Sequence, residues 1–276
     1  MKISVIIPTY KPQAYLWECL DSLVAQTFSK EDFEIILVLN GCTEPWKSQI
    51  QEYIDSKMKG MNVKFIHTEQ GGVSNARNIA LDVAQGEYVT FIDDDDFVSE
   101  KFLEELFEKA SPDTVALCYP YAFKDGHHEN KLKYTVTDAY NYGIKHDVRC
   151  LTSRVRKYFS GPCMKLIPMS FIQGRRFDKR FRIGEDSLFM FLISDKIHKV
   201  ALTSKCAVYY RRYRETSASF LERSAKEQIT NNMKLVWEYI KIYCHGGYSS
   251  YIFATRVASR IREMLLYPVT GIKKKV

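Results

Sequence analysis

Asp93-Asp94-Asp95-Asp96 stand together at the end of the apolar run Tyr88 to Ile92. Four adjacent carboxylates repel one another, and that repulsion must be offset by a cation or by exposure to water. An oxygen-only ligand set suits a hard ion such as Mg²⁺ or Mn²⁺, which in turn can bridge a diphosphate. The plainer alternative is a solvated acidic turn leading into the next helix, where acidic residues are common. A second pair, Glu185-Asp186, follows Gly184 and precedes Leu188, Phe189, Phe191 and Leu192. A carboxylate there can take a proton as a general base, or simply cap the helix. His127-His128 could join a metal site only if acidic or sulfur partners approached, and their polar surroundings read as exposed loop. No Ser-His-Asp or Cys-His order is evident.

The elements that must position these groups follow from apolar periodicity. Ile3 to Ile7 forms a strand stopped by Pro8, and Leu16, Leu20, Leu23 and Val24 recur at helical spacing. Phe33 to Leu39 forms the second strand, broken by Asn40-Gly41, and Val63 to His67 the third. After Gly71-Gly72, residues Val73 to Ala84 form a helix with Ala76, Ile79, Ala80 and Val83 on one face and Gly86 as its C-terminal cap. Tyr88 to Ile92 is the fourth strand, Phe102, Leu103, Leu106 and Phe107 mark another helix, and Thr114 to Cys118 another strand. This alternation predicts an α/β fold with a mostly parallel sheet, whose ligands bind where the strands end, as the aspartates do. Residues 123–160 are polar and irregular, an insertion or acceptor-side loop region with a short hairpin around Lys131 to Val136. Helical pattern returns at Ser187 to Ile193, strand pattern at Val200 to Leu202 and Ala207 to Tyr210, and two helices over 222–244 and 249–266.

The chain has 276 residues, 46% hydrophobic and 26% charged, enough for a sizeable core. It contains no apolar run of about 18 residues that could span a bilayer and no signal-peptide pattern, so a cytoplasmic protein is expected. Seven scattered cysteines without a C-x-x-C pair read as reduced thiols. The net charge of +7 favours an anionic partner, a phosphate ligand or lipid headgroups, and is too weak to argue for nucleic acid. Lys273-Lys274-Lys275, with Val257, Ile261 and Leu265 on one helical stripe, could rest on a membrane; packing within the protein is the alternative for that stripe.

Four ordered segments resemble glycosyltransferase family 2, of GT-A fold. They are Ile3 to Tyr10, Cys19 to Leu23 with Gln26-Thr27-Phe28, Gly72 to Asn78, and Gly86 to Asp96. The resemblance covers residues 1–215 and is strongest up to residue 100. It implies a GT-A domain over 1–215, with a nucleotide-binding half at 1–120 and an acceptor-side half at 121–215, followed by a helical appendage at 216–276. It makes the aspartates a DXD motif, with Asp95 on the metal, Asp93 supporting it and Asp94 near the donor ribose. Pro8, Thr9 and Tyr10 then lie at the nucleotide, and Arg77 on the donor side. Without that context, Thr9 reads as a strand-end turn and Arg77 as a surface charge.

The same resemblance makes Asp186 the base of an inverting transfer, with Glu185 beside it. Gly161 to Leu166 resembles the segment before that motif, where Lys165 positions substrate or merely follows a turn. Tyr209 to Arg214 and Ser217 resemble the family's aromatic-basic strand and mobile loop, from which Arg211 or Arg214 reaches a phosphate. A basic edge strand is the alternative. One departure stands out: family members commonly carry an aspartate pair after the second strand, whereas this chain has Leu39-Asn40-Gly41. Asn40 can hydrogen-bond a base through its amide, and UDP is the default nucleotide. The expected reaction moves a sugar to a carbohydrate or lipid-linked hydroxyl in surface polysaccharide or glycolipid synthesis. Two rivals remain. A haloacid-dehalogenase-like phosphatase also uses a D-x-D pattern, though after its first strand, and a silent nucleotide-sugar-binding scaffold would keep the fold without turnover.

Overall fold

A computed structural model of the chain describes residues 1–214 and 224–270. Its main sheet has seven strands in the order β10-β6-β9-β4-β1-β2-β3. These are β1 (Ile3–Thr9), β2 (Phe33–Asn40), β3 (Asn62–Thr68), β4 (Tyr88–Phe91), β6 (Thr114–Leu117), β9 (Lys165–Pro168) and β10 (Lys199–Leu202). β1 pairs in parallel with β2 and β4, β2 with β3, and β10 with β6; only β9 runs antiparallel, between β4 and β6. β1 and β2 are buried along their whole length, as strands covered on both faces must be. Helices α1 (Tyr15–Val24), α2 (Trp46–Lys57), α3 (Val73–Val83) and α4 (Phe102–Lys109) make the crossovers. The α/β architecture read from the sequence therefore stands.

A smaller sheet, in the order β5-β11-β7-β8, lies across the ends of the main strands. It consists of β5 (Phe97–Val98), β7 (Tyr119–Lys124), β8 (His127–Lys131) and β11 (Val208–Tyr213). Its strand β5 follows the aspartates directly, so the acidic turn is fastened between the two sheets. The described helices are completed by α5 (Thr135–Lys145), α6 (Met169–Ile172), α7 (Glu185–Leu192), α8 (Ala225–Cys244) and α9 (Ser250–Thr270), with a 3-10 turn over Val155–Ser160. A full capping box, Ser224 with Glu227, starts α8. α8 and α9 pack on α7 through a second cluster of Leu188, Phe191, Leu235, Tyr239 and Ile252.

Several expectations need correction. Pro8 does not stop β1: the Ile92 amide donates to the Ile6 carbonyl, so even-numbered residues of β1 address β4, and Pro8 lies past the end of β4 where no donor is required. Gly86 does not cap α3, whose cap is Ala84. A β carbon on Gly86 would sit 2.4 Å from the Ser4 nitrogen, so this glycine lets the chain press against β1. Val83 is exposed, and α3 instead buries Ser74, Asn75 and Arg77 beside Ala76 and Ala80. The hairpin lies at β7 and β8, turning at Asp125-Gly126, while Val136 is on α5. In the membrane stripe, Val257 packs into the second cluster, whereas Ile261 and Leu265 are exposed. No helix among the described residues is long and apolar enough to cross a membrane. Ser217, the 215/216 boundary and Lys273-Lys274-Lys275 lie outside the described residues.

The close approach at Gly86 yields a stability prediction. Gly86→Ala forces backbone apart in a packed sheet and should cost about 1–3 kcal/mol, read as a lower urea midpoint with an unchanged slope; an unchanged midpoint would contradict the packing described.

Candidate active site

A tight turn closed by the Asp96 amide on the Asp93 carbonyl at 3.0 Å fans the four aspartates in different directions. Asp93 Oδ1 accepts from Arg77 at 2.9 Å, and Asp94 Oδ2 accepts from the Thr9 hydroxyl at 2.5 Å. Asp95 Oδ2 lies 2.6 Å from the Arg214 guanidinium. Asp96 turns inward, accepting from the Tyr209 hydroxyl at 2.8 Å and the Arg212 amide at 2.7 Å, and so ties the turn to β11. Burial raises every carboxyl pKa from Asp94 to Asp96. Asp94 is pushed up to about 7, with Asp95 and Asp93 adding to the effect and Thr9 opposing it.

Arg77 joins this turn to the second carboxylate pair. It projects from α3, is only 2% exposed, and lies over the Phe177 ring at 5.3 Å. Its Nη2 holds Asp93 at 2.9 Å and its Nη1 holds Asp186 at 2.6 Å, while its Nε is buried without a partner. Burial works against its charge, but Asp186 and Asp93 together hold its pKa above the ordinary arginine value. Asp186 stands in the first turn of α7 after Gly184, whose φ of 86° suits glycine. Burial raises the Asp186 pKa, and Arg77 counters it. Burial, with Asp186 beside it, pushes Glu185 up to about 8.

The basic residues of β11 divide their tasks. Arg212 is pinned by Glu18, by Asp125 at 2.6 Å and by the Asp95 carbonyl at 2.8 Å. Arg211 lies between the rings of Tyr134 and Tyr213, at 5.6 and 5.4 Å, and donates to the Tyr134 hydroxyl at 3.3 Å. Among the described residues no ion pair engages Arg211; burial works against its charge, while Tyr134, Asp96, Tyr213 and Asp93 together hold its pKa above the ordinary arginine value. Arg214 rests on the Tyr15 ring at 4.3 Å as well as on Asp95.

Two residues expected at the ligand hold backbone groups in this structure. The Asn40 amide is buried and used at both ends: Nδ2 donates to the Thr9 carbonyl at 2.7 Å, and Oδ1 accepts from the Gly72 amide at 2.8 Å. It braces the ends of β1 and β2 against the start of α3, and both ends of its amide are engaged by backbone. Lys165 is wholly buried, donating to the carbonyls of Gly161 and Cys163 at 2.6 and 2.5 Å; burial lowers its pKa to about 8. It holds the turn before β9. Pro8 is buried within β1, while Tyr10 is 52% exposed at the strand's exit. Sequence reasoning did not single out Tyr15, and it placed Tyr209 and Cys163 within resembling segments without giving either a role; the fold brings all three to the cluster.

Among the described residues no group of three or more His, Cys, Asp or Glu side chains is gathered as a metal cage. Asp95 and Asp93 fit a hard divalent ion as partial ligands, since both carry carboxylate oxygens and are partly accessible; water and a diphosphate would complete the sphere.

The profile described as glycosyl transferase family 2 matches residues 4–183. The poly(ribitol-phosphate) β-N-acetylglucosaminyltransferase TarS of Staphylococcus aureus is 29% identical over 223 residues, 78% of this chain and 36% of that protein. The poly(ribitol-phosphate) β-glucosyltransferase of Bacillus spizizenii is 31% identical over 216 residues, 76% of this chain and 32% of that protein. The chain thus spans about a third of the length of these relatives. Among solved structures, S. aureus TarS 1–349 in complex with UDP-GlcNAc is similar with a TM-score of 0.73 and 24% identity, covering 100% of this chain and 77% of that one. The mannosyltransferase PcManGT from Pyrobaculum calidifontis, in complex with GDP-Man and Mn²⁺, is similar at 0.59 and 16%, covering 98% and 76%. At these identities the structural likeness bears on the fold, which is GT-A.

The raised Glu185 has a thermodynamic consequence. The folded state keeps a proton that the unfolded chain releases near pH 4, so the stability it contributes is full below that pH and is lost as pH rises toward 8. Urea unfolding at pH 5 and pH 8 should therefore show a fall in stability that Glu185→Gln reduces by a few kcal/mol; an equal fall in both proteins would contradict the assignment.

Proposed function

The chain belongs to glycosyl transferase family 2, and from that membership we propose that it transfers a sugar, with inversion, from a nucleotide-diphosphate donor to a hydroxyl of a surface-polysaccharide or lipid-linked acceptor. UDP is the default donor nucleotide, in keeping with the UDP-GlcNAc and UDP complexes of similar structures. The observation that carries the reading is Arg77, whose one guanidinium holds Asp93 at the exit of β4 and Asp186 at the start of α7. A donor-side carboxylate and an acceptor-side carboxylate thus meet within the reach of a single side chain. Membership in the family sets aside the phosphatase alternative. The departure at Asn40, which lent weight to a silent scaffold, has a bracing role instead.

In this reading Asp186 takes the proton of the acceptor hydroxyl as that oxygen attacks the anomeric carbon and the nucleoside diphosphate departs from the opposite face. A base must be ionised, and burial disfavours ionisation; Arg77 counteracts that effect. Glu185, pushed up to about 8, stays protonated at neutral pH and can donate a hydrogen bond to the acceptor. Arg211, which makes no ion pair among the described residues, is available to the diphosphate, while Arg214 and Asp95 neutralise each other until substrate arrives. A bound Mn²⁺ or Mg²⁺, held by Asp95 with Asp93, would stabilise the negative charge that grows on the leaving diphosphate. Tyr10 and Thr9 border the nucleotide side, Asp94 the ribose side. We also read the site of action as cytoplasmic, with contact at the inner membrane face through the basic C-terminus.

Two outcomes test the reaction. The product should carry the anomeric configuration opposite to the donor's, and Asp186→Asn should lower kcat by about 10²–10⁴ with donor affinity preserved. Retention of configuration would remove Asp186 from its role.

A further inference from the structure

Helix α7 carries Asp186 in its first turn, yet little in its own sequence holds that turn together. Its N-cap is Gly184, which has no side chain to accept from the free amides, and Asp186 is turned to Arg77. The helix has eight residues, too few to persist by itself. Support comes from α8. Asn231, Leu235 and Tyr239 recur every four residues, so they share one face of that helix. Asn231 Nδ2 donates to the Ile183 carbonyl at 3.2 Å. A β carbon on Gly184 would lie 2.5 Å from Leu235 Cδ1, so Leu235 closes directly over the glycine. The Tyr239 and Ser187 hydroxyls are 2.7 Å apart.

The hydroxyl pair has a direction. Ser187 Oγ donates its single proton to the Gly184 carbonyl at 3.0 Å, so the Tyr239 hydroxyl is the donor to Ser187. Tyr239 is 0% exposed and Ser187 5%, and Leu188, Phe191, Leu235 and Ile252 make the apolar contact around them. Burying two hydroxyls in such a contact is costly unless they satisfy each other, and an apolar pair would seal it as well. What the polar pair adds is register: it selects one rotation of α7 on α8, and with it the direction in which the first turn points. The far end of α7 is held by the same hairpin, the Tyr248 hydroxyl donating to the Leu192 carbonyl at 3.1 Å.

We infer that Asn231, Leu235 and Tyr239 are positioning residues for the transfer, holding the first turn of α7 so that the Asp186 carboxylate stays on Arg77 and faces the acceptor hydroxyl. The inference rests on the transferase reading, in which Asp186 is the base, and it makes α8 a working part of the site. The three residues act through the Ile183 carbonyl, Gly184 and Ser187.

The test compares Tyr239→Phe with Tyr243→Phe, which removes a hydroxyl from the same helix whose partner is Ser250 rather than the turn that carries the base. Turnover is read as UDP released from UDP-GlcNAc or UDP-glucose with Mn²⁺, and the turn itself by hydrogen exchange of residues 184–190 in the full chain without donor. Tyr239→Phe should lower kcat about tenfold or more with donor KM unchanged, and should speed exchange over 184–190 while α3 keeps its protection. It should add nothing in a Ser187→Ala background, because both changes remove the same bond. Tyr243→Phe should leave kcat and exchange at that turn as in the wild type. Wild-type kcat in Tyr239→Phe would overturn the inference; so would an equal fall in Tyr243→Phe or full additivity with Ser187→Ala, either of which reduces α8 to general packing. Unchanged exchange over 184–190 in Tyr239→Phe overturns it whether or not sugar is transferred. The expected exchange in a chain that releases no UDP from either donor counts against the transferase reading alone.

Discussion

A guanidinium withdrawn from water is costly unless its donors are met by anions, and Arg77 meets two. That requirement fixes three parts of the chain relative to one another: α3, the turn after β4, and the first turn of α7. The rest of the buried face of α3 serves the same end. Asn78 exchanges hydrogen bonds with the backbone of Phe177 at 2.8 Å in both directions, and Asn75 donates to the Gln70 carbonyl at 3.1 Å. A crossover helix that ought to bury an apolar stripe buries polar side chains here because it faces a site as well as a core.

Around this pivot, charge is sorted by the pleat of β11. Tyr209, Arg211 and Tyr213 share one face of the strand, Tyr210 and Arg212 the other. Arg212 is consumed in holding the small sheet to α1 and to the acidic turn, whereas Arg211 makes no ion pair among the described residues and donates to the Tyr134 hydroxyl. The aspartates are sorted too. Asp96, 4% exposed and bonded to Tyr209, is part of the framework, while Asp93 and Asp95 remain partly accessible. Consecutive identical residues thus take distinct tasks because a turn rotates each carboxylate toward a different partner.

Much of this was legible in the residues. The apolar runs of β1, β2 and β4 fall where the alternation put them, since strands buried on both faces leave a continuous signature. The acidic run and Glu185-Asp186 were recognisable as carboxylates at element ends. Less was readable where local pattern and tertiary role diverge. β8 is exposed throughout and β5 has two residues, so neither shows alternation. α5 does carry a buried stripe, Val136, Ala139, Tyr140 and Gly143, but polar neighbours hide its period. Asn40 and Lys165 looked like ligand contacts because their polar groups suit ligands; only the fold reveals that backbone atoms have already claimed them.

The claim that donor-side and acceptor-side carboxylates form one electrostatic unit through Arg77 is tested most directly by the pH dependence of kcat/KM in the wild type and in Arg77→Gln. Removing the guanidinium deprives Asp186 of its counter-charge while burial and Asp93 still disfavour ionisation. The acidic limb of the profile should therefore move to higher pH. An acidic limb at the same pH in both proteins would show that Arg77 does not govern the base, and the account would fail at its centre.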